Sequence, residues 1–179
     1  DGHIDVLIGA RHAGGEKNNG GAYLFLGNKK EDMDAVCDAV FRGEEAGDQM
    51  GSALDLFDVD SDGFCDVIVG ARGTKKGHGA VCIWWGGKDI NGNRRADLVL
   101  QGEPGSGMSS GDIECGDFNN DGYGDILVGA GAYPSYPINH GRAYVFYGND
   151  RSMMDTDCDY IFDPVENTIY FGVDLSVAD

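Results

Sequence analysis

Basic residues are scarce in this 179-residue chain: 13 Lys and Arg stand against 31 Asp and Glu, a net charge of -18. That shortage excludes a nucleic-acid binder, which needs clustered cations facing phosphate. It excludes docking on an anionic membrane for the same reason. Long apolar runs are also missing. None approaches the roughly 20 residues that cross a bilayer as a helix, so no membrane insertion is expected. There are four His, and the five Cys (Cys37, Cys65, Cys82, Cys115, Cys158) show no CxxC spacing, which leaves a structural zinc site without support. An odd number of Cys means that at least one is free or pairs outside the chain. No Arg-Gly-Asp tripeptide and no Asn-x-Ser/Thr sequon occurs. No stretch of ten or more residues carries helical periodicity. Glu, a good helix former, is rare: 7 residues against 24 Asp. The first residue is Asp1, with neither an initiator Met nor a signal peptide, so a processed product or a fragment is expected.

What is abundant is Asp and Gly, the latter numbering 30. Both favour turns, so the composition reads as a turn-rich β protein with carboxylates on its loops. Clustered Asp on loops suits a hard cation, calcium above all. Asp58 to Ala71 (DVDSDGFCDVIVGA) aligns without a gap on Asp117 to Ala130 (DFNNDGYGDILVGA), and Asp1 to Ala10 (DGHIDVLIGA) matches from the fifth loop position onward. Between these loops, GAYLFLG, GAVCIWWGG and GRAYVFYG match one another, as do CDAVFRGE, ADLVLQGE and CDYIFD. GSALDLFD, SGDIECGD and GVDLSVAD form a further matching set. The period is about sixty residues, with four short strands, A to D, per unit, which predicts propeller blades. The fold class expected is all-β, with blades of four antiparallel strands. The blades fall at 1–50 (lacking strand A), 51–108 and 109–169, with strand A of a further blade at 170–179. That makes twelve strands, or three blades' worth, with split blades at both ends. Val81 to Trp85 is apolar on both faces, so Trp84 and Trp85 can both be buried only in a sheet sandwiched between two neighbours.

The loop from Asp58 to Asp66 puts carboxylates at positions 1, 3, 5 and 9: Asp58, Asp60, Asp62 and Asp66. Gly63 permits the sharp turn at position 6, and Phe64 offers its carbonyl at position 7. The next unit supplies Asp117, Asn119, Asp121, Tyr123 (through its carbonyl) and Asp125. The half loop at the start supplies Asp1, His3 (through its carbonyl) and Asp5, and Asp179 occupies position 1 of another. Oxygen ligands at alternating positions wrap one Ca2+, and without a cation the crowded carboxylates repel. An EF-hand needs a Glu at position 12 between two helices; position 12 is Val69 or Val128, inside a strand, so that alternative fails.

A Phe-Gly pair, an acidic loop and then hydrophobic-Gly-Ala resemble the FG-GAP repeat of integrin α-subunit propellers. Phe171-Gly172 is the Phe-Gly pair, and Gly9-Ala10, Gly70-Ala71 and Gly129-Ala130 are the Gly-Ala pairs. The resemblance covers essentially the whole chain. It departs where Arg11, Arg72 or Gly131 stands for the usual Pro, and where Met50-Gly51 and Ser109-Ser110 stand for Phe-Gly. It implies a propeller with calcium in the A–B loops, extracellular or at the cell surface, serving adhesion or binding a protein or glycan ligand on a propeller face. Related repeats also occur as accessory domains of secreted enzymes.

No catalytic constellation emerges. Gly107-Met-Ser109-Ser-Gly111 matches the nucleophile-elbow expression, but a Gly/Pro-rich turn precedes it and a strand follows, so a loop entering a blade is expected. His12, His78 and His140 occupy non-equivalent repeat positions, and no triad can be argued from them. Cys37 and Cys158 share a repeat position two blades apart. They are expected as small buried hydrophobes, with a bond to a neighbouring segment or chain as the rival. Three functions follow: a non-catalytic calcium-binding adhesion or ligand-binding module; a structural subunit polymerising head-to-tail through its split blade, Asp179 joining Asp1 and Asp5; or an accessory propeller of a secreted hydrolase or lyase. Three blades are too few to close a propeller, so the chain is a piece of a larger one or self-associates through its ends.

Overall fold

The computed structural model describes residues 3–27, 36–92, 94–133, 140–165 and 168–178. Eleven strands are found among them: β1 (Val6–Gly9), β2 (Gly21–Phe25), β3 (Ala39–Arg42), β4 (Met50–Phe57), β5 (Asp66–Ala71), β6 (Ala80–Trp84), β7 (Leu98–Gln101), β8 (Ile113–Gly116), β9 (Asp125–Gly129), β10 (Ala143–Phe146) and β11 (Tyr160–Phe162). They form three antiparallel meanders of a partial β-propeller, in the orders β1-β2-β3, β4-β5-β6-β7 and β8-β9-β10-β11. Among the described residues, helix is limited to single turns at Gly15–Lys17 and Thr74–Gly77, the latter with Lys75 and Lys76 left-handed. No helix among the described residues is long and apolar enough to cross a membrane.

The middle sheet is covered on both faces. Every residue of β5 and β6 is buried, as expected of β-branched and aromatic strands with no wet side. Alternate residues enter different cores. Val67, Val69, Cys82 and Trp84 pack toward Ala22, Leu24 and Phe41 of the first sheet. Ile68, Val81 and Ile83 pack toward Ile113, Ile126, Val128 and Phe146 of the third. Each fully buried large side chain contributes about 1.5–3 kcal/mol relative to exposure, so these two interfaces hold the three sheets in order.

A small contact recurs wherever one sheet hands over to the next. Parallel bridges link Gly20 to Met50, Gly79 to Met108 and Gly141 to Phe171. The residue after each bridge turns left-handed: Gly51 at φ 85°, Ser109 at 61° and Gly172 at 78°. The structural equivalents of Phe171-Gly172 are therefore Met50-Gly51 and Met108-Ser109. This corrects the expected Ser109-Ser110 by one residue, because the chain uses one more residue between Met108 and Ile113 than between Met50 and Leu54. A Cβ on Gly51 would lie 2.4 Å from the Gly21 carbonyl oxygen, which is why this handover needs glycine.

Two further expectations differ from the structure. Gly172–Ala178, expected as strand A, forms no strand. The B strand that would pair with it, as β5 pairs with β4, does not follow within these residues. Of the cysteines expected as buried hydrophobes, Cys158 is exposed and Cys37 is half-buried, while Cys82 and Cys115 are the buried ones. Cys158 stands ahead of a D strand on the open third sheet, where no neighbouring sheet covers it.

Candidate metal centre

Both complete loops lie between an A and a B strand and fold alike. Asp58 accepts the Asp62 amide at 3.0 Å and the Gly63 amide at 2.9 Å. Asp117 accepts the Asp121 amide at 3.1 Å and the Gly122 amide at 3.0 Å. Asp62 accepts the Phe64 amide, and Asp121 the Tyr123 amide, each at 2.9 Å. Ser61 and Asn120 turn left-handed at φ 57° and 59°, and Gly63 and Gly122 follow at 91° and 94°. Such agreement between unlike sequences shows that the spacing of Asp and Gly, not the intervening residues, dictates the loop.

Position 9 is set apart by burial. Asp66 and Asp125 are fully buried, and each ties the loop to its blade. Asp66 accepts the Val59 amide at 2.9 Å and the Gly86 amide at 2.7 Å. Asp125 accepts the Phe118 amide at 2.7 Å and the Gly148 amide at 2.9 Å. In the first unit Asp5 accepts the Gly27 amide at 2.8 Å, the same link across the sheet.

Carboxylate oxygens of Asp58, Asp60 and Asp66 come within 4.8 Å of one another. Three acids this close repel strongly unless a cation or a proton joins them. In the second loop the third position is Asn119, whose side-chain oxygen accepts the Asp121 amide at 2.9 Å. The donor set is all oxygen, as calcium prefers. His3 is half-buried, and Asp1 and Asp179 lie outside the described residues.

Burial pushes the Asp66 carboxyl up to about 6; the Gly86 and Val59 amides pull against the shift, and the Asp60 and Asp58 charges reinforce it. Burial raises Asp125 as well. A carboxyl whose folded pKa exceeds its unfolded value gives stability that is full below the unfolded pKa and lost as pH rises through the folded one. In chelator, the chain should therefore lose stability between about pH 4 and pH 6. Denaturant titrations across that window should show a steeper loss for the wild type than for Asp66→Asn, whose side chain cannot ionise.

Three carboxylates went unassigned in the sequence. Asp38, Asp97 and Asp159 accept the amides of Leu26, Trp85 and Tyr147 at 2.8, 2.9 and 2.7 Å. Each fastens the D strand to the end of the C strand. The signal was visible as the shared Asp of CDAV, ADLV and CDYI, but without pairing register it had no role. Ser109, of the elbow-like sequence, is fully buried and donates to the Ala80 carbonyl at 3.1 Å.

The clefts between sheets differ. Between the second and third sheets, Arg142 stacks 4.1 Å over Tyr133 and pairs with Glu103 at 2.7 Å. The Tyr144 hydroxyl donates to the same Glu103 at 2.8 Å. The positions equivalent to Arg142 and Tyr144, counted from the bridging glycines, are Ala80 and Cys82. With these smaller side chains the cleft between the first and second sheets stays open, a cavity of about 910 Å³ lined by Glu44, Arg95, Cys82 and Trp84 among others.

Comparison with known proteins agrees with this architecture. The FG-GAP-like repeat model matches residues 58–128, and the FG-GAP repeat model matches residues 116–146. Integrin alpha-6 of Gallus gallus is 29% identical over 171 residues, covering 89% of this chain and 15% of the relative. Integrin alpha-5 of Xenopus laevis is 29% identical over 181 residues, covering 94% of this chain and 17% of the relative. Phosphatidylinositol-glycan-specific phospholipase D of Homo sapiens is 30% identical over 119 residues, covering 60% of this chain and 14% of the relative. The chain thus spans about one-sixth of the length of these curated relatives. With its repeats matched in sequence and its three sheets in propeller order, the chain carries FG-GAP repeats in a partial β-propeller and is similar to integrin alpha subunits.

Proposed function

We propose that the chain is a calcium-binding, non-catalytic propeller module of an extracellular or cell-surface protein, serving adhesion by binding a protein or glycan on a propeller face. The observation that carries this reading is the doubled acidic loop, whose carboxylates crowd within 4.8 Å at Asp58, Asp60 and Asp66. Asp58, Asp60, Asp62 and Asp66 would hold one ion with the Phe64 carbonyl. Asp117, Asn119, Asp121 and Asp125 would hold another with the Tyr123 carbonyl. The ion would neutralise the loops and fix the A–B turns, and with them the loops at the propeller face. The open cleft beside Glu44 and Trp84, about 910 Å³, has room for a ligand side chain. The blade divisions 1–50, 51–108, 109–169 and 170–179 are part of the same proposal.

Calcium that binds only the folded chain raises its stability by about 1.4 kcal/mol per loop at tenfold excess over Kd. The melting temperature should therefore rise by several degrees between chelator and millimolar calcium. An identical melting curve in both would sink the reading.

A second reading is favoured by the open ends. Ile4 and Ile8 are 85% and 51% exposed, and Tyr160 and Phe162 are 55% and 45% exposed. Tyr160 and Phe162 border an apolar groove of about 420 Å³ with Phe118 and Tyr147. Further blades of the same repeat, from more of the same chain or from a second copy, would cover these faces. Sedimentation separates the cases: a 19.1 kDa monomer in calcium rules out self-assembly, and an oligomer that survives deletion of residues 172–179 rules out exchange of that segment. The likeness to the human phospholipase D supports a third reading, an accessory propeller of a hydrolase. An assay of the chain for phosphodiester hydrolysis tests whether the repeats themselves carry activity; none is expected.

A further inference from the structure

The two complete loops fold alike but differ in a contact made by a residue far away in sequence. Arg151 stands in the turn after β10. Asp150 fixes that turn: its carbonyl accepts the Met153 and Met154 amides at 2.7 and 3.0 Å, and its carboxylate accepts the Ser152 amide at 2.9 Å. Met154 is buried in the core between the second and third sheets. From this anchored turn the Arg151 guanidinium crosses to the neighbouring blade. Its Nε donates to the Asp60 carboxylate and its Nη2 to the Asp62 carboxylate. It also lies 5.7 Å over the Trp85 ring. The Asp60 side chain is only 2% exposed, so Arg151 is the counter-charge of a buried acid. Among the described residues, no Lys or Arg forms an ion pair with any carboxylate of the 117–125 loop.

We propose that Arg151 is a built-in competitor for the cation at the 58–66 loop, so that the two loops bind calcium with unequal affinity. The inference rests on the calcium reading above and deepens it. A calcium ion that takes oxygens of Asp60 and Asp62 competes for them with the guanidinium. Binding there must break two charge-assisted hydrogen bonds, or else hold a positive group beside a dication. Either route weakens calcium at this loop and leaves the 117–125 loop untouched. In calcium-free conditions the same contact has the opposite effect. It offsets the repulsion among Asp58, Asp60 and Asp66 and pins the second blade to the third.

Calorimetric titration of the full chain with calcium chloride tests this. Asp121→Ala disables the 117–125 loop, so the 58–66 loop can be followed alone, with and without Arg151→Gln. Removing the arginine is expected to tighten calcium at least tenfold in that background. Arg151→Gln should also melt lower than wild type in chelator and no lower in saturating calcium, a reversal that mere loss of packing would not produce. Arg151→Lys, which keeps the charge but not the two-pronged reach, should fall between wild type and Arg151→Gln, and it serves if the Gln variant does not fold. Affinities equal within twofold, with no change of melting in chelator, would overturn the proposal. Absence of calcium heat from the wild type would overturn the calcium reading itself, because the 117–125 loop has no arginine to blame.

Discussion

Asp125→Ala should destabilise the chain by about 2–6 kcal/mol in chelator as well as in calcium, whereas Asp121→Ala should matter only when calcium is present. Both residues belong to the same proposed ion site, and they differ in what else they do. Asp125 is buried and accepts the Phe118 and Gly148 amides. Its removal strands one buried donor, the Gly148 amide, and one part-buried donor, the Phe118 amide, each costing about 1–3 kcal/mol. Asp121 is exposed, and the one backbone amide it accepts, from Tyr123, can turn to water. Its loss should leave the calcium-free chain within about 1 kcal/mol of wild type and remove the calcium-dependent gain of that loop. Denaturant unfolding of the two variants, each with and without calcium, gives four numbers that separate the roles. If Asp125→Ala were silent in chelator, the link between loop and blade would be wrong. If Asp121→Ala kept the full calcium gain, the site would be wrong while the link stood.

The same contrast explains what was legible in the sequence. A nine-residue loop is local: the spacing of Asp58, Asp60, Asp62 and Asp66 declares itself because oxygen atoms on alternate residues of a tight turn converge. The blade strands were legible for a similar reason, since a repeat of about sixty residues shows three copies side by side. What stayed hidden depends on pairing register or on contact between repeats. The role of Asp97 appears only once β6 and β7 are paired. Arg151 is separated from Asp60 by a whole blade, so comparing one repeat with the next does not reveal that the two meet. The slip at Met108-Ser109 has the same origin. An ungapped alignment cannot see an extra residue taken up ahead of β8, whereas the bridge from Gly79 to Met108 locates it.

Trp84 is the residue on which the sandwiched-sheet argument can be tested most severely. Adjacent residues of a strand point to opposite faces, so the pair Trp84-Trp85 requires a neighbour on each side. Trp84 is 2% exposed, its ring centre 4.8 Å from that of Phe41 in the first sheet, and its indole nitrogen donates to the Arg94 carbonyl at 3.1 Å. Trp85 is only partly buried and packs against the opposite core. Trp84→Ala should cost about 3–5 kcal/mol, as expected of a large aromatic cut from a packed core. A domain whose total stability is about 5–15 kcal/mol then sits near its threshold. The open cleft beside Trp84 adds to the loss, because nothing stands ready to collapse into the space. Trp85→Ala should cost roughly 1–2 kcal/mol, its ring being already partly in water. Protection of backbone amides from hydrogen exchange locates the damage. The first sheet should loosen in Trp84→Ala, with the pairing of β9 and β10 keeping its protection. Uniform loss across all three sheets would mean that the blades unfold as one unit and that the interface between the first two has no separate strength.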